Sequence, residues 1–357
     1  MIKNSQKKTR IHYLDIARGF AIFGMFTQHC MLIHEISAGN GENFLANLFV
    51  LLGTAPSAPV FMLLMGTFLI GSKSSVGQNI WRGIKLLLLG FILNLLRFTV
   101  PLLIAVILTD NAINFPEGQT PLELLFYVDI LQLAGLSLIC CAFLKKIARK
   151  NLIIPFMIAI VLLVSPFLWG KFDSNVFSDL FWGNSETVSF PFFPWAIYPL
   201  LGMYLSSYLI GSTNIKINLK KMRWYGLILG IFGLLMVILS ALKLLNFDLF
   251  SPLGNYERSG AGIHLLIIGF VLLWLNVCYW LEHNFGVENP ITKVLIYWSR
   301  NVTAIYFIQW LLFGWSILIF DSNQQNAFAS ALIGLVVLLI THFSVKSKRV
   351  RNLFAWV

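Results

Sequence analysis

The chain has very few charged side chains for its length. Of its 357 residues, 11% are Asp, Glu, Lys or Arg and 58% are hydrophobic, whereas about a quarter of the residues of a soluble domain are charged. The composition therefore excludes a soluble domain and indicates a protein of the lipid bilayer. The net charge of +11 does not indicate nucleic-acid binding, because the basic residues lie in short segments between apolar runs and not on one face.

Metal, redox and nucleotide motifs are also missing. The sequence contains no P-loop, no G-x-G-x-x-G, no H-E-x-x-H and no arginine ladder, which are the marks of nucleotide sites, zinc peptidases and voltage sensors. The four cysteines fall in apolar segments without a C-x-x-C pair. We therefore expect neither a metal site nor a disulfide framework.

Long apolar runs dominate what is present. Ten of them are long enough to cross a hydrocarbon layer of about 30 Å. The fold class is thus predicted to be all-α, a polytopic membrane helix bundle of about ten transmembrane helices in a single domain, residues 1–357. Residues 43–52 are apolar but short, so they predict an interfacial or re-entrant helix. The predicted spans are 15–36, 55–71, 82–108, 122–144, 151–170, 191–211, 222–245, 261–281, 295–320 and 327–345.

Basic residues predict the orientation. Of the 26 lysines and arginines, 19 lie before the first span, after the last span or in alternate loops, and three lie in the other loops. Positively charged loops stay in the cytoplasm, so we expect a cytoplasmic basic N-terminus, residues 1–14, and a cytoplasmic tail, residues 346–357. The first apolar stretch lacks an A-x-A site and predicts an uncleaved helix. The expected location is the bacterial plasma (inner) membrane.

The first predicted span carries three residues that are costly in lipid, Asp15, Arg18 and His29. On a regular helix Arg18 and His29 lie within roughly 20° of each other, and His29 lies about 21 Å beyond Asp15 along the axis. A cation near the cytoplasm and a deep imidazole would suit a phosphate-bearing donor that enters at Arg18 and reacts at His29. The alternative is structural: Asp15 and Arg18 form an ion pair at the helix end, and His29 is a hydrogen-bonded core residue.

These residues also form a recognisable pattern. Asp15-x-x-Arg18-Gly19, followed by nine residues and His29, resembles the first-helix signature of the transmembrane acyltransferase superfamily, which includes acyltransferase-3 and heparan-alpha-glucosaminide N-acetyltransferase-like proteins. Weaker similarities are scattered over most of the chain. They are Pro59 to Gly66, Asp129-Ile130-Leu131-Gln132, Phe190 to Trp195, and Arg300-Asn301 before Tyr306.

The resemblance implies an enzyme that transfers an acyl group, most simply acetyl, from cytoplasmic acyl-CoA to an extracytoplasmic sugar or related acceptor. Acetyl-CoA is then the donor substrate, and the partners are acyl-CoA, a sugar or glycan acceptor and the lipid bilayer; a homodimer is left open. The sequence departs from acyltransferase-3 proteins at Gln309, where many of them carry a histidine. In the N-acetyltransferase branch the catalytic histidine lies later than His29, so His34 is a rival for the same role.

The chemistry requires a base for the acceptor and counter-charges for the CoA phosphates. His29 or His34 is the candidate catalytic residue, acting as a base or as a nucleophile that forms acetyl-imidazole. On a regular helix His34 lies about 140° from His29. For the phosphates we expect Arg18, Arg82, Lys85 and Arg300, of which Arg82 alternatively only anchors the membrane edge and Arg300 alternatively pairs with Asp15.

An acceptor site is expected towards the outside. Asp129, Gln132 and Trp195 would supply a carboxylate, an amide and an aromatic face for a sugar, with Arg97 nearby. Alternatively, Arg97 and Asp129 form a buried ion pair that satisfies both charges. The rival function is a proton-coupled transporter of a polar or anionic solute, with His29, Arg97 and Asp129 at the midplane; a membrane scaffold without catalysis is a third option.

Overall fold

A computed structural model describes residues 10–35, 43–109, 120–145, 152–169, 171, 173, 175–183, 188–210, 212, 214–244, 258–320 and 323–356. Within these ranges the regular elements are helices, and the only β-type pairings are two isolated bridges, Glu35 with Gln325 and Val128 with Val188. The all-α fold class is therefore confirmed.

The helices follow one another closely along the chain. The first half holds α1 (His12–His34), α2 (Phe44–Thr54), α3 (Ala58–Gly71), α4 (Val76–Asn94), a π-helical segment (Leu95–Thr99), α5 (Val100–Thr109), α6 (Pro121–Leu125), α7 (Ile130–Leu144) and α8 (Ile153–Leu168). The second half holds α9 (Val176–Phe181), α10 (Phe192–Trp195), α11 (Ile197–Leu209), α12 (Ile215–Ala241), α13 (Ala261–Phe285), α14 (Pro290–Arg300), α15 (Val302–Phe320), α16 (Ala327–Lys346) and α17 (Lys348–Leu353).

Helical segments occupy all ten predicted spans, and several are long and apolar enough to cross a bilayer. By length and composition, seven candidate spans are present in the described residues. In this count α2 and α3 form one span, and α4, the π-helical segment and most of α5 form another; α7 and α8 are shorter apolar helices. The number of ten crossings and the cytoplasmic position of both termini remain predictions. The expected short helix at residues 43–52 is α2.

Several helix ends differ from the predicted ends because capping groups decide them. The predicted span 122–144 is broken, and Asp129 caps α7 where we expected it on a helix face. The predicted span 295–320 is broken at Asn301, so Arg300 ends α14 and does not begin a long helix. The third span starts earlier than predicted, at Val76, after a capping box made by Ser75.

Helix α1 lies at the centre of the packing. It contacts α2, α3, α13, α14, α15 and α16, and its core residues include Leu14, Ile16 and Ile22, all fully buried. By contrast, α12 and α16 expose large apolar side chains, such as Ile231 and Phe343. In water such surfaces would be unfavourable, so these two helices are suited to contact lipid.

Helices α3 and α11 cross at two glycines. A Cβ atom added to Gly66 would lie 1.9 Å from the carbonyl oxygen of Pro199, and one added to Gly202 would lie 1.9 Å from the carbonyl oxygen of Leu63. Small residues let helix backbones approach closely in a membrane protein. Thr67 adds a polar contact at this crossing, because its hydroxyl donates to the Gly202 carbonyl at 3.1 Å.

We expect Gly66→Ala to destabilise the protein by about 2 kcal/mol, because the added methyl group meets backbone that cannot move aside. Gly77→Ala is the matched control, since a Cβ at Gly77 meets nothing within 4 Å. Thermal unfolding in detergent measures both variants. Equal melting temperatures for the two would contradict the close crossing of α3 and α11.

Candidate active site

A cavity of about 430 Å³ opens between α1, α3, α4, α7 and α15. Two cations line it, Arg18 from α1 and Arg82 from the second turn of α4, together with the polar side chains of Ser72 and Asn79. The guanidinium of Arg18 lies 5.0 Å from the ring centre of Phe68. The remaining wall is mostly apolar, so the cavity combines two cationic side chains with a largely hydrophobic lining.

A second, smaller cavity of about 30 Å³ adjoins the first. The two share Phe61, Ile130 and Tyr306 in their linings. The small cavity is also lined by His29 and Asp129. The cavity lined by the two arginines and the cavity lined by the imidazole are therefore neighbours, with Tyr306 in the wall of both.

His29 is half-buried and held from one side by α15. Its Nδ1 lies 2.9 Å from Nε2 of Gln309, and its ring centre lies 4.1 Å from that of Trp310. These contacts fix the ring while leaving it in the cavity wall. A positioned imidazole next to a cavity can act as a general base or as a nucleophile.

Arg97 and Asp129 form the buried ion pair that was one of the two sequence-based alternatives. Nη2 of Arg97 lies 2.8 Å from Oδ2 of Asp129 and also donates to Oδ1 of Asn94 at 2.9 Å. The Arg97 side chain is fully buried, and its guanidinium lies 4.2 Å from the ring centre of Trp310. Trp310 thus lies against both Arg97 and His29.

Asp129 lines the small cavity, and its carboxylate is held by three partners. Its carboxylate accepts hydrogen bonds from the Tyr306 hydroxyl at 2.7 Å and from the backbone N–H of Ile130 at 2.7 Å, in addition to the Arg97 contact. Gln132 completes the capping box: its Oε1 accepts from the Asp129 N–H at 3.2 Å, and its Nε2 donates to the Tyr127 carbonyl at 3.2 Å. The Gln132 amide therefore supports the backbone around Asp129.

The rival histidine lies elsewhere. Because α1 continues without interruption to His34, this residue lies on a different face from His29, about 140° away on a regular helix. His34 is fully buried, and its Nε2 lies 2.9 Å from Oγ of Ser316. Neither cavity has His34 in its lining.

The other cations expected around the phosphates are not part of the large cavity's wall. Lys85 donates to the Trp356 carbonyl, and its ammonium lies 5.5 Å from the Trp356 ring centre. Arg300 is exposed at the end of α14. Asp15, which was a candidate partner of Arg18 or Arg300, accepts hydrogen bonds from Arg10 at 3.1 Å and from Ser299 at 2.7 Å.

Trp195, expected to present an aromatic face to a sugar, lies fully buried in an aromatic cluster. Its ring centre is 4.7 Å from that of Phe190 and 5.7 Å from that of His264. Phe190 lines the small cavity, so Trp195 supports that cavity through Phe190. In the described residues there is no group of three or more His, Cys, Asp or Glu side chains that could hold a metal ion.

Sequence reasoning gave no role to three α15 residues at this site. Tyr306 was noted only as part of a motif, Gln309 only as a departure, and Trp310 not at all. The sequence does contain one signal for them, because positions 306, 309 and 310 lie on one helix face. Residues of the buried core show the same spacing, so the pattern identifies a site only when the helix that packs opposite is known.

Comparison with known families gives one match. Residues 10–236 match the family described as "Heparan-alpha-glucosaminide N-acetyltransferase, catalytic". The match includes Arg18, His29, Arg82, Arg97 and Asp129 and ends before α15. Comparison with curated proteins found no match.

We expect Asp129→Asn and Arg97→Leu each to lower the free energy of unfolding by about 3–5 kcal/mol, because each leaves one buried charge without its partner. The double variant should lose less unfolding free energy than the two single variants lose together, since neither charge remains. Unfolding in detergent measures the stability of the two single variants and the double variant. Lys293→Gln, which removes an exposed ion pair with Glu288, is the control and should change little; an additive double variant would contradict the coupling.

Proposed function

The chain belongs to the heparan-alpha-glucosaminide N-acetyltransferase family of membrane acetyltransferases, and on that premise we propose that it transfers an acetyl group from cytoplasmic acetyl-CoA to an extracytoplasmic carbohydrate or amino sugar. His29 is the general base. The observation that carries the proposal is a pair of adjoining cavities, one lined by Arg18 and Arg82 and the other by His29. The location proposed is the bacterial inner membrane.

The large cavity suits acetyl-CoA as the donor substrate. Arg18 and Arg82 offer guanidinium groups for the phosphates at one end, and the apolar interior suits the long, mostly uncharged arm that carries the thioester. Arg18 and His29 are eleven positions apart on α1, or about 16 Å along the helix. The donor is therefore proposed to bind with its charged end at Arg18, towards the cytoplasm, and with its thioester at His29.

Phosphate roles for Lys85 and Arg300 receive less support. Lys85 has the Trp356 carbonyl as a partner, and Arg300 lies exposed at the end of α14. Arg18 and Arg82 both line the large cavity, so we assign the phosphate contacts to these two residues. Asp15, held by Arg10 and Ser299, serves a structural role at the start of α1.

The reaction needs one proton transfer in each direction. The acceptor amine or hydroxyl attacks the thioester carbonyl carbon while an unprotonated nitrogen of His29 takes its proton. The new C–N or C–O bond forms, the C–S bond breaks, and the imidazolium returns the proton to the departing CoA thiolate. The products are the acetylated acceptor and free CoA.

The acceptor is proposed to place its amine or hydroxyl in the small cavity beside Asp129, and because about 30 Å³ admits only a small group, its sugar ring lies outside this cavity. Of the residues expected to hold it, Asp129 lines this cavity, whereas Arg97 and Gln132 fix the position of Asp129. Trp195 supports the wall through Phe190. The acceptor side of the site thus depends on one carboxylate that is already neutralised by an arginine.

We expect His29→Ala to lower acetyl transfer by about 10²- to 10⁴-fold, the usual contribution of a general base. His34→Ala should keep most of its activity per folded molecule, because His34 lies outside both cavities. The assay incubates purified protein with radiolabelled acetyl-CoA and a panel of amino sugars, and measures both labelled product and released CoA.

Thermal unfolding of each variant separates a catalytic loss from misfolding. Full activity in His29→Ala, or loss only in a folded His34→Ala, would transfer the base role away from His29. Wild-type protein that neither transfers acetyl groups nor releases CoA, and that acetyl-CoA does not stabilise, would overturn the proposed function and favour the transporter.

We expect Arg82→Gln to raise the KM for acetyl-CoA by about tenfold or more, because a charge-assisted hydrogen bond to phosphate contributes about 1.5–3 kcal/mol. Lys85→Gln is the matched control: it removes a cation one turn along the same helix that lies outside the cavity wall. Steady-state kinetics at varied acetyl-CoA, with the acceptor saturating, measures both. Equal effects of the two variants would contradict the assignment.

A further inference from the structure

Gln309 is the direct partner of the proposed base, and its amide has an unusual environment. The residue is fully buried on α15, and its Nε2 lies 2.9 Å from Nδ1 of His29. The other end of the amide, Oε1, is buried without a hydrogen-bond partner among the described residues. One end of this side chain is thus occupied by His29 while the other is unsatisfied.

The orientation of this amide decides the chemistry of His29. The nitrogen and oxygen of a glutamine amide have nearly the same shape, so a half-turn of the amide exchanges them at the same distance. With the N–H₂ group facing Nδ1, that nitrogen accepts and the ring proton sits on Nε2, which is then no base. With Oε1 facing Nδ1, the proton sits on Nδ1 and Nε2 is free to accept one.

The reaction distinguishes the two arrangements. Once His29 has taken the acceptor's proton, both ring nitrogens carry hydrogen, and Nδ1–H must donate to an acceptor. An N–H₂ group at that place would oppose the imidazolium, whereas Oε1 would receive its hydrogen bond. Only the second arrangement serves both the resting base and the protonated intermediate.

We propose that Gln309 is a positioning residue for the acetyl transfer: its Oε1 accepts a hydrogen bond from Nδ1–H of His29, which holds the imidazole in the tautomer whose Nε2 is the base. This inference rests on the proposed function for its role in catalysis, but the tautomer itself is a property of the His29–Gln309 contact. The half-turn also places the N–H₂ group where Oε1 now lies.

The charged and titratable groups near His29 leave this role to Gln309. Asp129 lines the same cavity from the start of α7 but is bound by Arg97, by Tyr306 and by the Ile130 N–H. Arg97 approaches from the π-helical segment and lies against Trp310. Tyr306, one turn before Gln309 on α15, donates to Asp129. These groups contact one another, whereas Gln309 is hydrogen-bonded to the imidazole of His29.

Two substitutions test the proposal. Gln309→Leu keeps the approximate size and removes the partner, so we expect kcat to fall by at least about tenfold with little change in the KM for acetyl-CoA. Gln309→Glu supplies a stronger acceptor at the same place and should retain more activity than Gln309→Leu.

Because a carboxylate favours imidazolium, the acid limb of the kcat/KM pH profile should move to higher pH in Gln309→Glu. Gln325→Leu is the control, since it removes a glutamine amide that binds the Phe320 carbonyl.

A spectroscopic measurement separates this proposal from the proposed function. ¹⁵N NMR of histidine-labelled protein, with the His29 signals assigned by their absence in His29→Ala, reports which ring nitrogen carries the proton. We expect Nδ1–H in wild type and in Gln309→Glu, and a mixture in Gln309→Leu. Wild-type Nε2–H, an unmoved acid limb in Gln309→Glu, or full kcat in Gln309→Leu would overturn the proposal. If the NMR result holds while no acetyl transfer is found, the proposed function fails and the tautomer assignment stands.

Discussion

The ion pair between Arg97 and Asp129 is the contact on which the rest of the site depends. Two charges inside an apolar bundle are costly, and their attraction offsets that cost only when further hydrogen bonds satisfy them. Here Asn94, Tyr306 and the Ile130 N–H supply part of those bonds, while Nε and Nη1 of Arg97 have no hydrogen-bond partner among the described residues. The same contacts connect the π-helical segment, the first turn of α7 and the N-terminal part of α15, where Tyr306 lies. Asp129 and Tyr306 line the small cavity together with His29, so the pair positions this region before any substrate binds.

The arrangement separates two tasks along α1. Arg18 lies in the wall of the large cavity, where bulky phosphates have room, and His29 lies beside a space of only about 30 Å³. The large cavity thus has both more volume and more positive charge than the small cavity beside the imidazole. A donor with a large charged end and a small reactive end fits the two cavities in one orientation only. The physical requirement is a helix without interruption between the two residues, and α1 is continuous from His12 to His34.

The sequence predicted well what depends on composition and on regular geometry. Apolar runs located the helices, and angular spacing on α1 correctly set His34 apart from His29. The prediction from the sequence was wrong where a few local hydrogen bonds outweigh hydrophobicity. The apolar run 122–144 predicts one helix, yet Asp129 caps α7 and ends the irregular stretch before it. The contact between His29 and Gln309 joins residues that are 280 positions apart. No spacing rule reaches that far, because it depends on how α1 packs against α15.

A neutral partner for the imidazole also follows from the surrounding electrostatics. A carboxylate at position 309 would add a third buried charge next to a pair that is already balanced, and its desolvation would have to be offset by an imidazolium that exists only during the reaction. An amide avoids that cost in the resting protein. It can still accept a hydrogen bond when His29 becomes charged. The acidic side chain in the described lining of the small cavity, Asp129, is neutralised by Arg97, so this pair adds no net charge to the surroundings of His29.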